Sequence, residues 1–534
     1  MANYKSPGVY IEELHAFPNS AVAVETAIPV FIGYTAKAEI KGKSLINVPT
    51  RINSFAEYVE SFGGAFMPKF KIEDDITAAA ESFKLSNKTV KISYAANNEL
   101  YFFNCIRLFY ANGGGPCVIL AVDTYGDKIS GLRVKISDFN KADGPLEILK
   151  NTQEPTLIIL PDIAALKEIA YTIYADVLAH CANMQNRFAI FDLKNHDVTE
   201  PPATVVNQFR SAIGNNFLNY GAAYYPWLNT GVVDVDELTF ENLPDALDNY
   251  LEDGIPKEIH EKYNIEFGEL NKVLKQLKPE KTETGVISGD EKTKIADKAT
   301  ELSTYEDISN KIANLKKNYH LALKSSSANY RSILKYARSL ANQLPPSAAI
   351  AGLYTMVDNT RGVWKAPANY SLNHVDSPVI NISSKEQDSF NVDPNTGKSV
   401  NVIRPFQGLG TLVWGGRTLD GNSGDWKYIN VRRTLIMIEQ SIKAATRAYI
   451  FEPNDANTWI TVKAMINNFL TNLWKQGALA GAVPEQAFDV QIGLGATMTP
   501  NDILEGKMLI SVKVAIVRPA EFIVITFQQQ LQQS

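Results

Sequence analysis

The chain has 534 residues, 45% hydrophobic and 21% charged, with 52 Lys+Arg against 58 Asp+Glu and a net charge of −6. That length exceeds one hydrophobic core and predicts roughly two to four domains. The thin acidity excludes a general nucleic-acid binder, and no apolar run reaches the ~18 residues of a membrane span.

Three cysteines, Cys105, Cys117 and Cys181, lack CxxC spacing and read as buried, reduced thiols of a cytosolic protein. The N-terminal MANYKSPGVYIEELH has no apolar core segment, so it is not a secretory signal.

Residues 1–20 read as an arm. Pro7-Gly8 turns, Val9-Tyr10-Ile11 is a short β-type run continued by Glu12, and Pro18-Asn19-Ser20 follows. A strand tethered at both sides suits the edge of another sheet, and a frayed terminus is the alternative. Ala21–Thr35 reads as a buried strand centred on Val30-Phe31-Ile32-Gly33. Ser54–Gly63 is an amphipathic helix with Phe55, Tyr58, Val59 and Phe62 three and four apart.

Asn98–Tyr110 is a helix, Cys117–Val122 a strand, Thr156–Leu160 a strand, and Ala164–Asn183 a helix. Phe188–Leu193, Ala203–Ile213 and Ala222–Trp227 follow as strand, helix and strand. Near-continuous apolar strands alternating with helices predict an α/β layer with a mostly parallel sheet.

From about Asp234 charge rises and helical patterns dominate to Leu344. Ile308, Ile312, Leu315 and Tyr319 share one helix face, and Tyr330, Leu334, Ala337 and Ala341 another. Residues 234–344 therefore read as an inserted, mainly helical subdomain, stopped by Pro345-Pro346. In the stretch that follows, Ala349–Met356 can bury as a strand or a tight helix turn. Asp358-Asn359-Thr360 has turn chemistry. Arg361, Gly362, Trp364 and Pro367 leave it as an extended segment, with Trp364 a buried anchor.

Arg432–Ile450 is a strong helix with Leu435, Ile438, Ile442, Ala445 and Tyr449 on one face. Asn457–Trp474 is a second, with Ile460, Ala464, Phe469 and Trp474 apolar and Lys463 and Lys475 charged. Ser511–Val517 reads as a strand, interrupted by Pro519-Ala520, and Glu521–Phe527 as another. Both chain ends thus look like pairable strands.

Catalytic chemistry is not legible. His15, His180, His196, His260, His320 and His374 form no HExxH or HxH pair. Gly113-Gly114-Gly115-Pro116 lacks the Lys-Ser/Thr of a phosphate loop, and Gly289-Asp290-Glu291-Lys292-Thr293 is in the wrong register. No GxSxG elbow occurs. No catalytic residue, metal or cofactor is assigned.

Stretches far apart in the chain resemble one family. They are YKSPGVYIEE with VETAIPVFIGYT, YGAAYYPWL, PPSAAIAGLYTMVDNTRGVWKAPAN, and a C-terminal series. The series comprises LVWGGRTL, YINVRRTLIMIEQSI, FEPND, LWKQGAL, TMTPNDILEGKMLI and RPAEFIVI. Together they resemble contractile tail sheath proteins of phage tails, R-type bacteriocins and extracellular injection systems. Residues 234–344 do not carry the likeness, and Gly493-Leu494-Gly495-Ala496 departs from members with a Cys and an acidic residue there.

The resemblance implies an α/β, multidomain sheath subunit with a subtilisin-like α/β middle domain. It places an N-terminal arm at 1–20, the sheath domain at 21–233 and 345–410, and an outward-facing insertion at 234–344. An α+β tube-facing domain follows at 411–518 and a C-terminal arm strand at 519–534. The arm strands, Val9, Tyr10, Ile11, Glu12 and Phe522, Ile523, Val524, Ile525, are expected to add to a neighbouring subunit's sheet. Pro7-Gly8, Pro18 and Pro519 are the expected joints, and Arg361 and Trp364 the expected fixings of the junction between insertion and C-terminal domain.

The implied partners are further copies of the chain, an inner tube protein, baseplate and terminal cap proteins, and sheath paralogues. Lys463 and Lys475 are the expected tube-facing residues. Nucleic acid and membrane insertion are not expected. Assembly in the bacterial cytoplasm as part of a phage tail or tail-like particle is. A static shell protein and an α/β enzyme of unknown substrate are the rival readings.

Overall fold

The computed structural model describes residues 21–75, 82–86, 88–96, 99–125, 134–195, 200–276 and 291–525. The arm residues Val9, Tyr10, Ile11 and Glu12 lie outside the described residues. A nine-stranded sheet forms the centre. Its strands are β1 (Pro29–Thr35), β2 (Thr50–Ile52), β3 (Cys117–Thr124), β4 (Leu157–Ile159), β5 (Phe188–Asp192), β6 (Gly221–Tyr225), β7 (Tyr370–Ser371), β8 (Asn401–Phe406) and β9 (Gly410–Val413). The spatial order is β7-β9-β8-β6-β5-β4-β1-β3-β2.

The run from β8 to β3 is parallel, and antiparallel strands close both edges. This is the expected α/β layer. Every residue of β1 is buried, because both faces of the sheet are covered. Phe31 and Ile119 belong to one apolar cluster, Val30, Ile32 and Leu120 to the other.

Helices α1 (Phe102–Ala111), α6 (Ala328–Ala341) and α7 (Ser347–Arg361) cover the first face; α2 (Ala170–Met184) and α3 (Pro202–Ala212) cover the second. Helix α1 approaches β1 so closely that a Cβ on Gly33 would sit 2.3 Å from the Phe102 ring and 2.6 Å from Asp162 Oδ2. Only glycine fits there.

Two buried carboxylates tie helices to the ends of parallel strands. Asp162, just after β4, accepts the backbone N–H groups of Tyr34 (2.9 Å), Tyr101 (2.8 Å) and Phe102 (2.9 Å), capping α1. Asp192 ends β5 and accepts the Ser347 N–H at 2.7 Å and hydroxyl at 2.5 Å, capping α7. Burial pushes Asp162 up to about 6 and Asp192 up to about 7, against the opposing pull of those hydrogen bonds.

The stretch after the double proline corrects an expectation. Of the two readings, strand or tight helix turn, the helical one holds, but as the full helix α7 rather than a single turn, buried on all sides from Ser347 to Thr355. A helix covered all round has no amphipathic period, so an apolar run of small residues reads ambiguously. Asp358, Asn359 and Thr360 are its last turn.

The helical region is also less separate than 234–344 implies. Helices α4 (Ile255–Gln276) and α5 (Glu291–Ser326) form a pair, stapled where Tyr263 stacks on Tyr319 with centroids 4.0 Å apart. Tyr263, Tyr319 and Leu323 of this pair, and Tyr330, Ile333, Leu334, Ala337 and Ala341 of α6, are all buried in the first core cluster. The strand Gln343–Leu344 then pairs with Leu228–Thr230. Removing the stretch from about 240 to 340 would therefore open the core. Trimming only residues 272–302 is expected to leave the melting temperature within a few degrees of the parent, measured by calorimetry.

The C-terminal part has its own apolar cluster. It joins α8 (Ile429–Thr446), α9 (Ala456–Lys475) and an antiparallel ribbon of β10 (Phe488–Ile492) and β11 (Ile510–Val514). Helix α9 buries Val462, Met465, Ile466, Phe469, Leu470 and Leu473. Ile460, one of the apolar residues of this helix, is 67% exposed.

Candidate functional site

The start of α8 gathers what the rest of the chain sends to it. Tyr428, its N-cap, and Asn430 and Arg433, in its first two turns, reach three separate segments. Arg433 donates to Asp358 of α7 through two bonds, 3.0 and 2.6 Å, and to the Thr26 carbonyl at 3.0 Å. Its guanidinium lies 4.6 Å from the centre of the Tyr354 ring, and the Tyr354 hydroxyl meets that of Tyr224 at 2.8 Å. The Arg433 and Asp358 side chains are only 3% and 4% exposed. A buried pair of this kind needs its remaining donors and acceptors filled. Thr26 does that on both sides, its hydroxyl donating to Asp358 at 2.6 Å.

The entering chain is held along its length. Val24 N–H donates to Ser441 Oγ (3.0 Å), Thr156 Oγ1 donates to the Thr26 carbonyl (2.7 Å), and Ile28 N–H donates to Thr156 Oγ1 (2.9 Å). The segment from Ala21 is thus wedged between the sheet, α7 and α8.

Asn430 holds the other end of the molecule. Its amide donates to the carbonyls of Trp364 (2.8 Å) and Val517 (3.0 Å). The Tyr428 hydroxyl donates to Glu521 at 3.1 Å. Burial acts to raise the Glu521 carboxyl, but hydrogen bonds from Arg417, Asn391 and Tyr428 and the Arg417 charge outweigh it and hold the group below the usual range.

The expected site residues divide as follows. Arg361 is exposed at the end of α7; the buried, paired arginine bonded to this helix is Arg433. Gly362 ends α7 at φ 86°, its N–H on the Asp358 carbonyl. Trp364 lies across it, the ring 2.3 Å from where a Gly362 Cβ would stand. Trp364 is half-buried against the C-terminal cluster and Pro367 is buried. Replacing Trp364 with Ala is therefore expected to cost about 1–2 kcal/mol by denaturant unfolding, below the ~3–5 kcal/mol of a fully buried aromatic.

Phe522, Ile523, Val524 and Ile525, expected as a strand, form none in the lone chain and are 73%, 79%, 88% and 69% exposed. Extended apolar backbone with no partner cannot register as a strand. Lys463 and Lys475 are both exposed on α9. Twelve positions apart, they sit about 120° apart around the helix and share no single stripe.

Sequence reading missed Arg433, Asn430 and Asp192. The adjacent pair Arg432-Arg433, close before the apolar run Leu435–Ile438, was the available signal, because a buried cation needs a partner. Cys105, Cys117 and Cys181 are buried free thiols, and burial pushes Cys117 and Cys181 up to about 12. Among the described residues no helix is long and apolar enough to cross a membrane.

Comparison with known proteins points one way. Residues 422–530 match the family model of the phage tail sheath C-terminal domain. The tail sheath protein of Vibrio phage KVP40 is 23% identical over 185 residues, 34% of this chain and 26% of its own. That of Burkholderia phage BcepMu is 26% identical over 187 residues, 33% of this chain and 36% of its own. The chain thus spans about a quarter to a third of the length of these curated relatives.

Solved structures match throughout. A sheath complex of the extracellular contractile injection system PVC, in the contracted state, is 26% identical with a TM-score of 0.57, covering 99% of both chains. The contracted helical sheath of the anti-feeding prophage is 27% identical with a TM-score of 0.56, covering 99% of this chain and 100% of that one.

Proposed function

We propose, on the premise that this chain is a homologue of contractile tail sheath proteins, that it is the structural subunit of a contractile sheath. It polymerises helically around an inner tube in a metastable extended state and contracts to drive the tube through a target envelope. The observation that carries this is the likeness to contracted sheath subunits along 99% of the chain.

The physics of the chain ends supports the reading. A two-stranded ribbon is marginal alone and gains from added strands. The ribbon β10–β11 is such an incomplete sheet, and Phe522–Ile525 is an apolar segment without one. Strands donated by residues 9–12 and 522–525 of neighbouring subunits complete it, with main-chain hydrogen bonds as the glue. Head-to-tail links that do not close produce an open helix. Energy is stored in assembly, the extended packing being kinetically trapped above the contracted one.

Within this reading the central α/β layer is the subtilisin-like sheath domain, the α4–α5 pair faces outward, and 411–518 faces the tube. The tube contact is the exposed side of α9 with Lys463, and its end at Lys475. Solvated charge contacts contribute only ~0–1 kcal/mol each, which lets the tube detach as the sheath widens. Baseplate and cap proteins bind the ends, and assembly takes place in the bacterial cytoplasm.

Deleting residues 1–16 tests the reading. The subunit is expected to fold with unchanged circular dichroism and to form no stable sheath by negative-stain microscopy. Normal contractile sheaths from that variant would refute the arm exchange.

A further inference from the structure

The C-terminal tail leaves the body of the subunit at one residue. Upstream of it the chain is bonded in place. Ala480 N–H donates to the Ala515 carbonyl at 2.7 Å, Val517 N–H to Ala478 at 3.2 Å, and Asn430 to Val517 at 3.0 Å. At Glu521 the carboxylate receives Arg417 Nε at 2.9 and 3.1 Å, Arg417 Nη2 at 2.6 Å, Asn391 Nδ2 at 2.9 Å and the Tyr428 hydroxyl at 3.1 Å.

The donating residues come from three separate segments. Arg417, whose side chain is 8% exposed, is itself fixed: its N–H donates to Asn401 Oδ1 at 2.8 Å and its Nη1 to the Gly421 carbonyl at 2.9 Å. Immediately beyond Glu521 the order of contacts ends. Phe522 to Ile525 are 69–88% exposed.

We infer that Glu521 is the anchor that fixes where the C-terminal strand leaves the subunit. The pivot of that arm then lies after Glu521, and not at Pro519, where the sequence suggests a joint. A forked, charge-assisted carboxylate–guanidinium contact holds direction as well as position. It is therefore suited to aiming a strand at a neighbouring sheet, whereas a proline alone would only stiffen the path. Glu521 is a positioning residue, and the inference rests on the strand exchange proposed above.

The test uses full chains assembled into sheaths: the parent, Glu521→Ala, Glu521→Gln, and a chain ending at residue 522. The Glu521→Ala subunit is expected to melt within a few degrees of the parent. Its sheaths are expected to dissociate in urea on the order of tenfold faster, because removal of one charged partner acts on the off-rate. Glu521→Gln, which keeps an acceptor oxygen, is expected to fall between, and the shortened chain to form no stable sheath.

Parent-like dissociation of Glu521→Ala sheaths, with the shortened chain inactive, would overturn the anchor alone. Normal sheaths from the shortened chain would overturn the strand exchange and the anchor with it. A subunit melting temperature that drops in step with sheath lifetime would make Glu521 a general brace of the fold, and would also overturn the anchor.

Discussion

Replacing Arg433 with methionine is expected to destabilise the subunit by about 3–5 kcal/mol, because it leaves Asp358 charged, buried and unpaired. Asp358 is 4% exposed and, among the described residues, has Thr26 as its only other side-chain donor. Asp358→Ala should cost a similar amount from the opposite side, stranding a guanidinium against Tyr354 and the Thr26 carbonyl. The double variant Arg433→Met, Asp358→Leu should recover much of the loss, since an apolar pair of similar volume often replaces a buried ion pair at little cost. Denaturant unfolding of the parent, Arg433→Met, Asp358→Leu and the double variant closes the cycle and gives the coupling energy directly. A second readout is protease cleavage near Thr26, which is expected to accelerate in both single variants.

Removing the Asp192 carboxylate is the second large effect. Asp192→Ala is expected to cost about 2–3 kcal/mol, because the Ser347 N–H and hydroxyl lose their acceptor in a buried site and α7 loses its cap. Asp192→Asn keeps an acceptor for that N–H and separates capping from charge. Burial raises the Asp192 carboxyl in the folded protein to about 7, from an ordinary value of 3.8. The folded state therefore binds a proton that the unfolded chain has already released. The contribution of this group to stability is complete below about pH 4 and is lost as the pH rises to about 7. The asparagine variant is blind to pH here. Its stability relative to the parent is expected to rise across that window, by up to about 4 kcal/mol at roughly 1.4 kcal/mol per pKa unit. Melting temperatures of parent and variant between about pH 4 and pH 8 check the sign.

The parallel layer was legible because its strands are buried on both faces and read as continuous apolar runs, as in Val30–Ile32, Ile158–Ile159 and Ala189–Phe191. The half-buried helices α5 and α6 were legible for the opposite reason, since one wet face leaves a period. Helix α7 was not, because burial all round erases that period, and its polar last turn imitates a loop. The node at α8 escaped for a further reason. Its bonds join residues 26, 358 and 433, and no local pattern encodes a contact across that separation. The tail from Phe522 shows a limit of another kind: its apolar side chains are strand-like in sequence, but a strand exists only with a partner, and one chain alone supplies none.

The placement of Tyr428, Asn430 and Arg433 within six residues at the start of α8 has a mechanical meaning. In the proposed polymer, joined through its chain ends, tension enters each subunit at Ala21 and leaves at Glu521. Both exits are bonded to that stretch, the first through Thr26 and Arg433, the second through Tyr428, with Asn430 gripping Val517 just upstream. Pull applied to one end therefore has a short route to the other, beside the longer one through the nine-stranded sheet.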